Sequence, residues 1–145
     1  MKILVTGVNG LVGNSIIKLL SNTQHEVFKS SRRVEGLADH KVDITLKNDL
    51  DLFFSKFDPD VVINCAAMAN VDLCELEKKS CDDVNITGIR NLVDVCARYN
   101  CHLTHFSTDY IFDGKKDSGI YLESDTPCPQ SYYAKSKLEG EKIIT

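Results

Sequence analysis

Apolar positions along this chain switch between two spacings, and the switching predicts alternating strands and helices. Residues 2–6, Lys2-Ile3-Leu4-Val5-Thr6, form a short apolar run ended by a glycine turn, as a buried strand does. Leu11, Val12, Ile16, Ile17, Leu19 and Leu20 then recur at helical spacing, and residues 26–30 read as a second strand. A short strand is expected near 40–44 and a helix near 46–57. After the break at Asp58-Pro59-Asp60, a strand is expected over Val61-Val62-Ile63-Asn64-Cys65. Helical spacing returns from about 72 to 99, with an interruption near Asp82, before a strand at residues 102–106. Residues 113–130 hold Gly114, Gly119, Pro127 and Pro129 without periodicity, the mark of a long irregular connection of the kind that often carries function. A last helix is expected to begin near Ser131.

This order implies an α/β fold, a doubly wound parallel sheet of Rossmann type with helices on both faces. The pattern is still helical at residue 145, so the sheet is expected to be incomplete at its C-terminus. Residues 1–145 would then be a nicotinamide-cofactor-binding domain cut from a longer protein, with its substrate domain absent.

Composition narrows the function. With 145 residues, 43% hydrophobic and 26% charged, the chain suits one globular domain. A net charge of −4 and only isolated basic pairs, Arg32-Arg33 and Lys115-Lys116, argue against a nucleic-acid partner. No apolar stretch approaches a membrane span, and the expected compartment is the cytoplasm. The six cysteines, at 65, 74, 81, 96, 101 and 128, include no C-x-x-C and are expected to be reduced and mostly buried. Cys96, Cys101, His102 and His105 tempt a metal reading, but a strand would point His102 and His105 to different environments; core packing with a satisfied histidine is preferred and no metal is expected.

The chemistry sits where strands end. Gly7-Val8-Asn9-Gly10-Leu11-Val12-Gly13 lies between the first strand and the first helix. There small residues let backbone approach a pyrophosphate and a helix N-terminus offers N–H groups. Gly7, Asn9, Gly10, Leu11 and Val12 are therefore cofactor-contact candidates, though G-x-x-G-x-x-G differs from the commoner G-x-G-x-x-G. The second strand ends in Ser30-Ser31-Arg32-Arg33, with no acid before Glu35 to accept a ribose 2′-hydroxyl. Ser31 and Arg32 instead suit a 2′-phosphate, so NADP(H) is expected in preference to NAD(H). Asp43 and Ile44 are expected near the adenine, and Cys65, Ala66 and Ala67 where the cofactor approaches the fourth strand. Thr108 closes the fifth strand. Tyr133 and Lys137, one helical turn apart, can share a face, so the ammonium is expected to lower the phenol's pKa. Tyr133 could give a proton to a carbonyl, Lys137 hold the nicotinamide ribose, and Thr108 bind the substrate oxygen.

Together, Gly7-x-x-Gly10-x-x-Gly13, Ser107-Thr108 and Tyr133-Ala134-Lys135-Ser136-Lys137 resemble the extended short-chain dehydrogenase/reductases. Asn64 through Asp72, Val84-Asn85 with Gly88 and Asn91, and His105 through Gly114 are most similar to the dTDP-4-dehydrorhamnose reductase family. The resemblance spans the chain. It implies reduction of the 4-keto group of a nucleotide-linked deoxysugar, with Thr108, Tyr133 and Lys137 as catalytic triad and Met68, Thr108, Asp109 and Tyr110 near the substrate. Thr108-Asp109-Tyr110 stands where related dehydratases have Thr-Asp-Glu, so elimination of water is unsupported. Cys65 and Met68 depart from the family pattern, and family members carry about as many residues again. The same branch includes the β subunit of methionine adenosyltransferase, which implies a non-catalytic, NADP-binding regulator as the alternative; another sugar-nucleotide reductase or epimerase is a third. The exposed sheet edge also predicts a homodimer.

Overall fold

The computed structural model describes residues 1–145. Five strands, β1 (Lys2–Thr6), β2 (Glu26–Ser31), β3 (His40–Lys41), β4 (Val61–Asn64) and β5 (His102–His105), form one sheet in the order β3-β2-β1-β4-β5. Every pairing is parallel. The helices are α1 (Leu11–Leu20), α2 (Lys47–Phe57), α3 (Val71–Leu76), α4 (Lys78–Asp82), α5 (Gly88–Tyr99) and α6 (Tyr132–Ile144). A π-helical turn (Asp83–Thr87) joins α4 to α5, and a 3₁₀ turn (Asp109–Ile111) follows β5.

The pleat sorts side chains onto two faces. Leu4 pairs in register with Phe28 and Val62, and these join Leu50, Phe53 and Phe54 of α2 and Ile89, Leu92 and Val95 of α5 in the larger core. Ile3, Val5 and Val8 face the other way, where Ile16, Ile17 and Leu20 of α1 cover them. The doubly wound arrangement therefore exists within this chain. Burial of six large side chains in the α2 and α5 layer, at about 2 kcal/mol each, is the main force holding that layer to the sheet.

Helix ends follow the local chemistry. Ser131 accepts a hydrogen bond from the backbone N–H of Ala134 at 3.2 Å and caps α6. Asn70 does the same for α3 through Leu73 N–H at 2.9 Å. Asp58 and Asn100 end α2 and α5 in the left-handed conformation, which Asp and Asn adopt more readily than other non-glycine residues.

Two expected elements differ. The third strand is two residues long, not five: the Asp43 carboxylate accepts from both the backbone N–H and the hydroxyl of Thr45, and Asp49 accepts Asp43 N–H. These bonds turn the chain into α2, leaving Val42 and Ile44 buried beyond the strand end. The helix expected over 72–99 is interrupted where expected, with the π turn starting directly after Asp82, but a second break after Leu76 that was not expected separates α3 from α4. The π turn's extra residue brings Asn85 inward, a placement helical periodicity does not show. The other strands, α1, α2, α6 and the irregular 113–130 connection stand within about a residue of expectation. Three cysteines are buried, Cys65 and Cys101 are partly covered, Cys128 is exposed, and all six are free thiols. No helix is long and apolar enough to cross a membrane.

Candidate active site

A crevice of about 510 Å3 opens at the C-terminal ends of β1, β2 and β4, where ligands bind in open parallel sheets. Gly7, Gly10, Ser31, Arg32, Asp43, Ile44, Cys65, Ala66, Ala67 and Met68 line it, bringing together most residues expected at the cofactor and adding Met68 from the expected substrate set. Gly7 adopts φ +68°, and a Cβ there would lie 2.6 Å from the backbone nitrogen of Ala66. Only glycine lets the β1–α1 turn approach the β4 end so closely.

The remaining cofactor candidates lie differently. Asn9 donates to the Glu35 carbonyl at 3.0 Å and accepts from Leu37 N–H at 2.9 Å, so its amide pins the loop after β2. Leu11 and Val12 are exposed at the start of α1, outside the crevice lining. The Ser31 hydroxyl donates to the Arg33 carbonyl and accepts its N–H at 3.3 Å, shaping the turn that presents Arg32. The Arg32 guanidinium lines the crevice with no carboxylate partner, a cation available to an anionic ligand. Small walls, a backbone cradle and an unpaired Arg fit a phosphorylated dinucleotide.

The catalytic candidates gather beside this crevice. The Thr108 hydroxyl accepts from Tyr110 N–H at 3.3 Å and starts the 3₁₀ turn. That turn sets the Tyr110 ring edge-on to Tyr133, with centroids 6.2 Å apart. Asp109 and Tyr110 also line a separate surface cavity with Phe112, Tyr121 and Gln130. Phe112 and Tyr121 stack at 4.5 Å, and the Tyr121 hydroxyl donates to Asp113 at 2.8 Å, giving the irregular connection its own fastening.

Lys137 corrects the expected pairing. Its ammonium lies not against the Tyr133 phenol but between His105 Nε2, at 2.9 Å, and the Phe106 carbonyl, at 2.5 Å. Only 3% of Lys137 is exposed, and burial pushes its pKa down to about 8 although Glu141 opposes the shift. The Tyr133 phenol is held above its ordinary value because burial disfavours phenolate, with Thr108 pulling the other way. The one-turn spacing on α6 is correct; the lysine is captured from β5 instead.

Several residues escaped the sequence. Asn85 donates to the Met68 carbonyl at 3.0 Å and to the Ser136 hydroxyl at 2.9 Å, and accepts Met68 N–H at 2.9 Å. It ties the crevice wall to α6 through the π turn. Asn64 accepts from Thr6 and Ala66 N–H and donates to His105 Nδ1 at 3.0 Å. A polar residue closing an apolar central strand was the available signal. Cys96, Cys101, His102 and His105 form no cluster able to hold a metal: His102 is exposed, and both ring nitrogens of His105 are engaged. Burial pushes the Cys65 thiol up to about 11, so that crevice-lining cysteine is a packing group.

The family described as RmlD substrate binding domain matches residues 1–145. A dTDP-4-dehydrorhamnose reductase from Aggregatibacter actinomycetemcomitans is 40% identical over 144 residues, 99% of this chain and 46% of the relative. Methionine adenosyltransferase 2 subunit beta from Pongo abelii is 32% identical over 144 residues, 99% of this chain and 42% of the relative. Among solved structures, a hypothetical dTDP-4-dehydrorhamnose reductase from Sulfolobus tokodaii superposes with TM-score 0.90 at 40% identity, covering all of this chain and 52% of that one. A dTDP-4-dehydrorhamnose reductase from Bacillus anthracis, in complex with NADP, superposes with TM-score 0.88 at 26% identity over 99% of this chain and 48% of that one. The chain thus spans about half the length of the curated relatives it matches.

Proposed function

This chain belongs to the RmlD family, the family of dTDP-4-dehydrorhamnose reductases, and on that premise we propose that it is the NADP(H)-binding part of a reductase acting on a sugar nucleotide. The observation that carries the proposal is the crevice at the strand ends, with Gly7 against Ala66 and an unpaired Arg32 at its rim. Gly7, Gly10, Ala66 and Ala67 would cradle the dinucleotide and Arg32 would meet its 2′-phosphate, with Asp43 and Ile44 at the adenine. The complex of the Bacillus anthracis reductase with NADP supports this cofactor over NAD.

Reduced nicotinamide, when bound, supplies a hydride. The chain's own residues manage the other half of a carbonyl reduction, the proton. Thr108 would hold the carbonyl oxygen by a hydrogen bond, and the neutral Tyr133 phenol would give it the proton that completes the alcohol. A phenol held above its ordinary pKa keeps that proton at neutral pH, as a general acid requires. Lys137 would hold the nicotinamide ribose, and Met68, Asp109 and Tyr110 would face the sugar. The proposed substrate is a dTDP-linked 4-keto deoxysugar, whose nucleotide would be held by residues beyond this domain.

Calorimetric titration with NADPH and NADH tests the cofactor assignment. NADPH is expected to bind tighter, with Arg32→Ala weakening NADPH roughly tenfold and leaving NADH unchanged. Equal binding of both cofactors, or no response to Arg32→Ala, defeats it. NADPH oxidation by the natural protein with dTDP-4-dehydrorhamnose tests the reaction: Tyr133→Phe is expected to lower kcat about a thousandfold while cofactor affinity holds.

A second reading, an NADP-binding regulatory subunit, draws support from the 32% identity to methionine adenosyltransferase 2 subunit beta. The retained Thr108, Tyr133 and Lys137 favour the enzyme. NADPH binding without turnover, together with co-elution with a methionine adenosyltransferase, would favour the subunit.

A further inference from the structure

Two tyrosines stand side by side at the start of α6, and their hydroxyls are used differently. The Tyr133 phenol lies beside Thr108, with the Tyr110 ring edge-on to it at 6.2 Å. The Tyr132 hydroxyl instead donates to Asp82 Oδ2 of α4 at 2.8 Å, and that carboxylate holds the Tyr132 phenol above its ordinary pKa. The Lys78 ammonium sits 5.1 Å from the centre of the same ring. From α3, Glu75 Oε1 accepts the backbone N–H of Tyr132 at 2.6 Å, across 57 positions of chain. Tyr132 is thus held by ring, hydroxyl and backbone, and all three holds come from α3 and α4. None of Glu75, Lys78, Asp82 and Tyr132 is among the residues expected at the site.

Helix chemistry accounts for the backbone hold. The first N–H groups of a helix have no partner inside it. Ser131 serves Ala134 N–H at 3.2 Å, so Tyr132 N–H, at the first helical position, is satisfied from outside. A carboxylate suits that place, because its charge meets the positive end of the helix dipole and the hydrogen bond is charge-assisted. The serine cap ties α6 only to its own approach segment. The Glu75 bond ties it to α3, whose cap Asn70 and whose Leu73 line the crevice. One wall of the dinucleotide crevice and the first turn of α6 therefore share a single six-residue helix.

We infer that Glu75 is a positioning residue for Tyr133: by holding the Tyr132 N–H it sets the first turn of α6 and places the neighbouring phenol against Thr108. Asp82 adds a second hold on the same turn through the Tyr132 hydroxyl. In this role the Glu75 carboxylate exchanges no proton and acts only through the backbone of Tyr132. A proton donor displaced by about 1 Å from the atom it serves can cost about a hundredfold in rate, so the hold bears on turnover more than on binding. The inference rests on the reductase proposal, which makes Tyr133 the proton donor.

Steady-state kinetics of the natural protein with NADPH and dTDP-4-dehydrorhamnose, together with calorimetric NADPH titration, test it. Glu75 is exposed, so truncating it leaves no cavity. Glu75→Ala is expected to lower kcat roughly thirtyfold while KM and NADPH affinity stay within about twofold. Glu75→Gln, whose amide oxygen can still accept the N–H, should recover kcat to within about threefold of the parent. A fall of less than about threefold in Glu75→Ala overturns the inference, and so does a Gln variant as slow as Ala. A parallel loss of kcat and NADPH affinity overturns it too, since Glu75 would then be a general brace of the domain. If the parent does not reduce the substrate, the reductase proposal falls, and ¹³C NMR of ring-labelled tyrosine decides the hold itself. The Tyr133 resonance, identified by its loss in Tyr133→Phe, should move in Glu75→Ala and return in Glu75→Gln. A Tyr133 signal indifferent to Glu75→Ala overturns the hold.

Discussion

The two ends of the candidate site are built from different materials. At the dinucleotide end, backbone and small side chains make the surface: Gly7 abuts Ala66, and Ala67 completes the wall. At the catalytic end, networks of buried polar side chains do the positioning, with Asn64 and His105 holding Lys137 and Asn85 holding Ser136. A backbone cradle tolerates no added atom and needs no partner, whereas a polar network tolerates changes of shape but needs every hydrogen bond satisfied. The first end should fail by steric strain and the second by loss of satisfaction.

The sharpest way to break the first end is Gly7→Ala. The positive φ and the 2.6 Å approach to Ala66 backbone predict a loss of about 3 kcal/mol in urea unfolding, together with loss of dinucleotide binding. Full stability would mean that the β1 and β4 ends are not in contact.

At the second end, Asn85→Ala removes four hydrogen bonds, the weak one to Cys81 Sγ included, and leaves Met68 N–H without its partner, with an expected loss of about 2.5 kcal/mol. Cofactor affinity should fall with it, because Met68 lines the crevice. A loss under about 0.5 kcal/mol would show that water replaces the network.

Acid should also separate the two ends. The unfolded chain protonates His105 below its ordinary value of about 6.5. The folded chain does so only below about 4. The unfolded state therefore binds more protons between these values, and stability falls as pH drops from 6.5 to 4. The full linkage value is about 3 kcal/mol, reduced to about 1.5 by the partial exposure of His105. Stability should not vary with this group above pH 6.5. His105→Gln should flatten that limb, and Arg32→Ala should not.

The smallest expected effect is that of Ser31→Ala. Its hydroxyl serves an exposed turn, so stability should change by about 0.5 kcal/mol or less, while NADPH affinity falls about threefold through misplacement of Arg32. An unchanged NADPH affinity would detach Ser31 from the phosphate site.

The legibility of the two ends follows the same division. Gly7, Gly10, Ala66 and Ala67 announce themselves because a strand, a glycine turn and a helix are local patterns, and the parallel sheet then places all four at one edge. Tyr133 and Lys137 were legible as a one-turn pair on a helix, but the partner of Lys137 was not, since His105 reaches it across 32 positions of chain. The third strand was overextended because Asp43 diverts the chain through its own side chain, a competition that apolar patterning does not register. Asn9 read as a phosphate contact from its position in the turn, yet its amide is spent on the loop after β2.

By itself the sequence determined the element order, the doubly wound class, the glycine turn and the basic rim at Arg32, because each is local: a spacing, a φ requirement, or an absent acid. Tertiary structure decided where Lys137 points, which face Asn85 turns to, and what engages the two ring nitrogens of His105. Those outcomes depend on hydrogen-bond partners 17 to 51 positions apart. A buried polar group goes where its hydrogens are satisfied, and only the packed sheet with α6 against it supplies the partners.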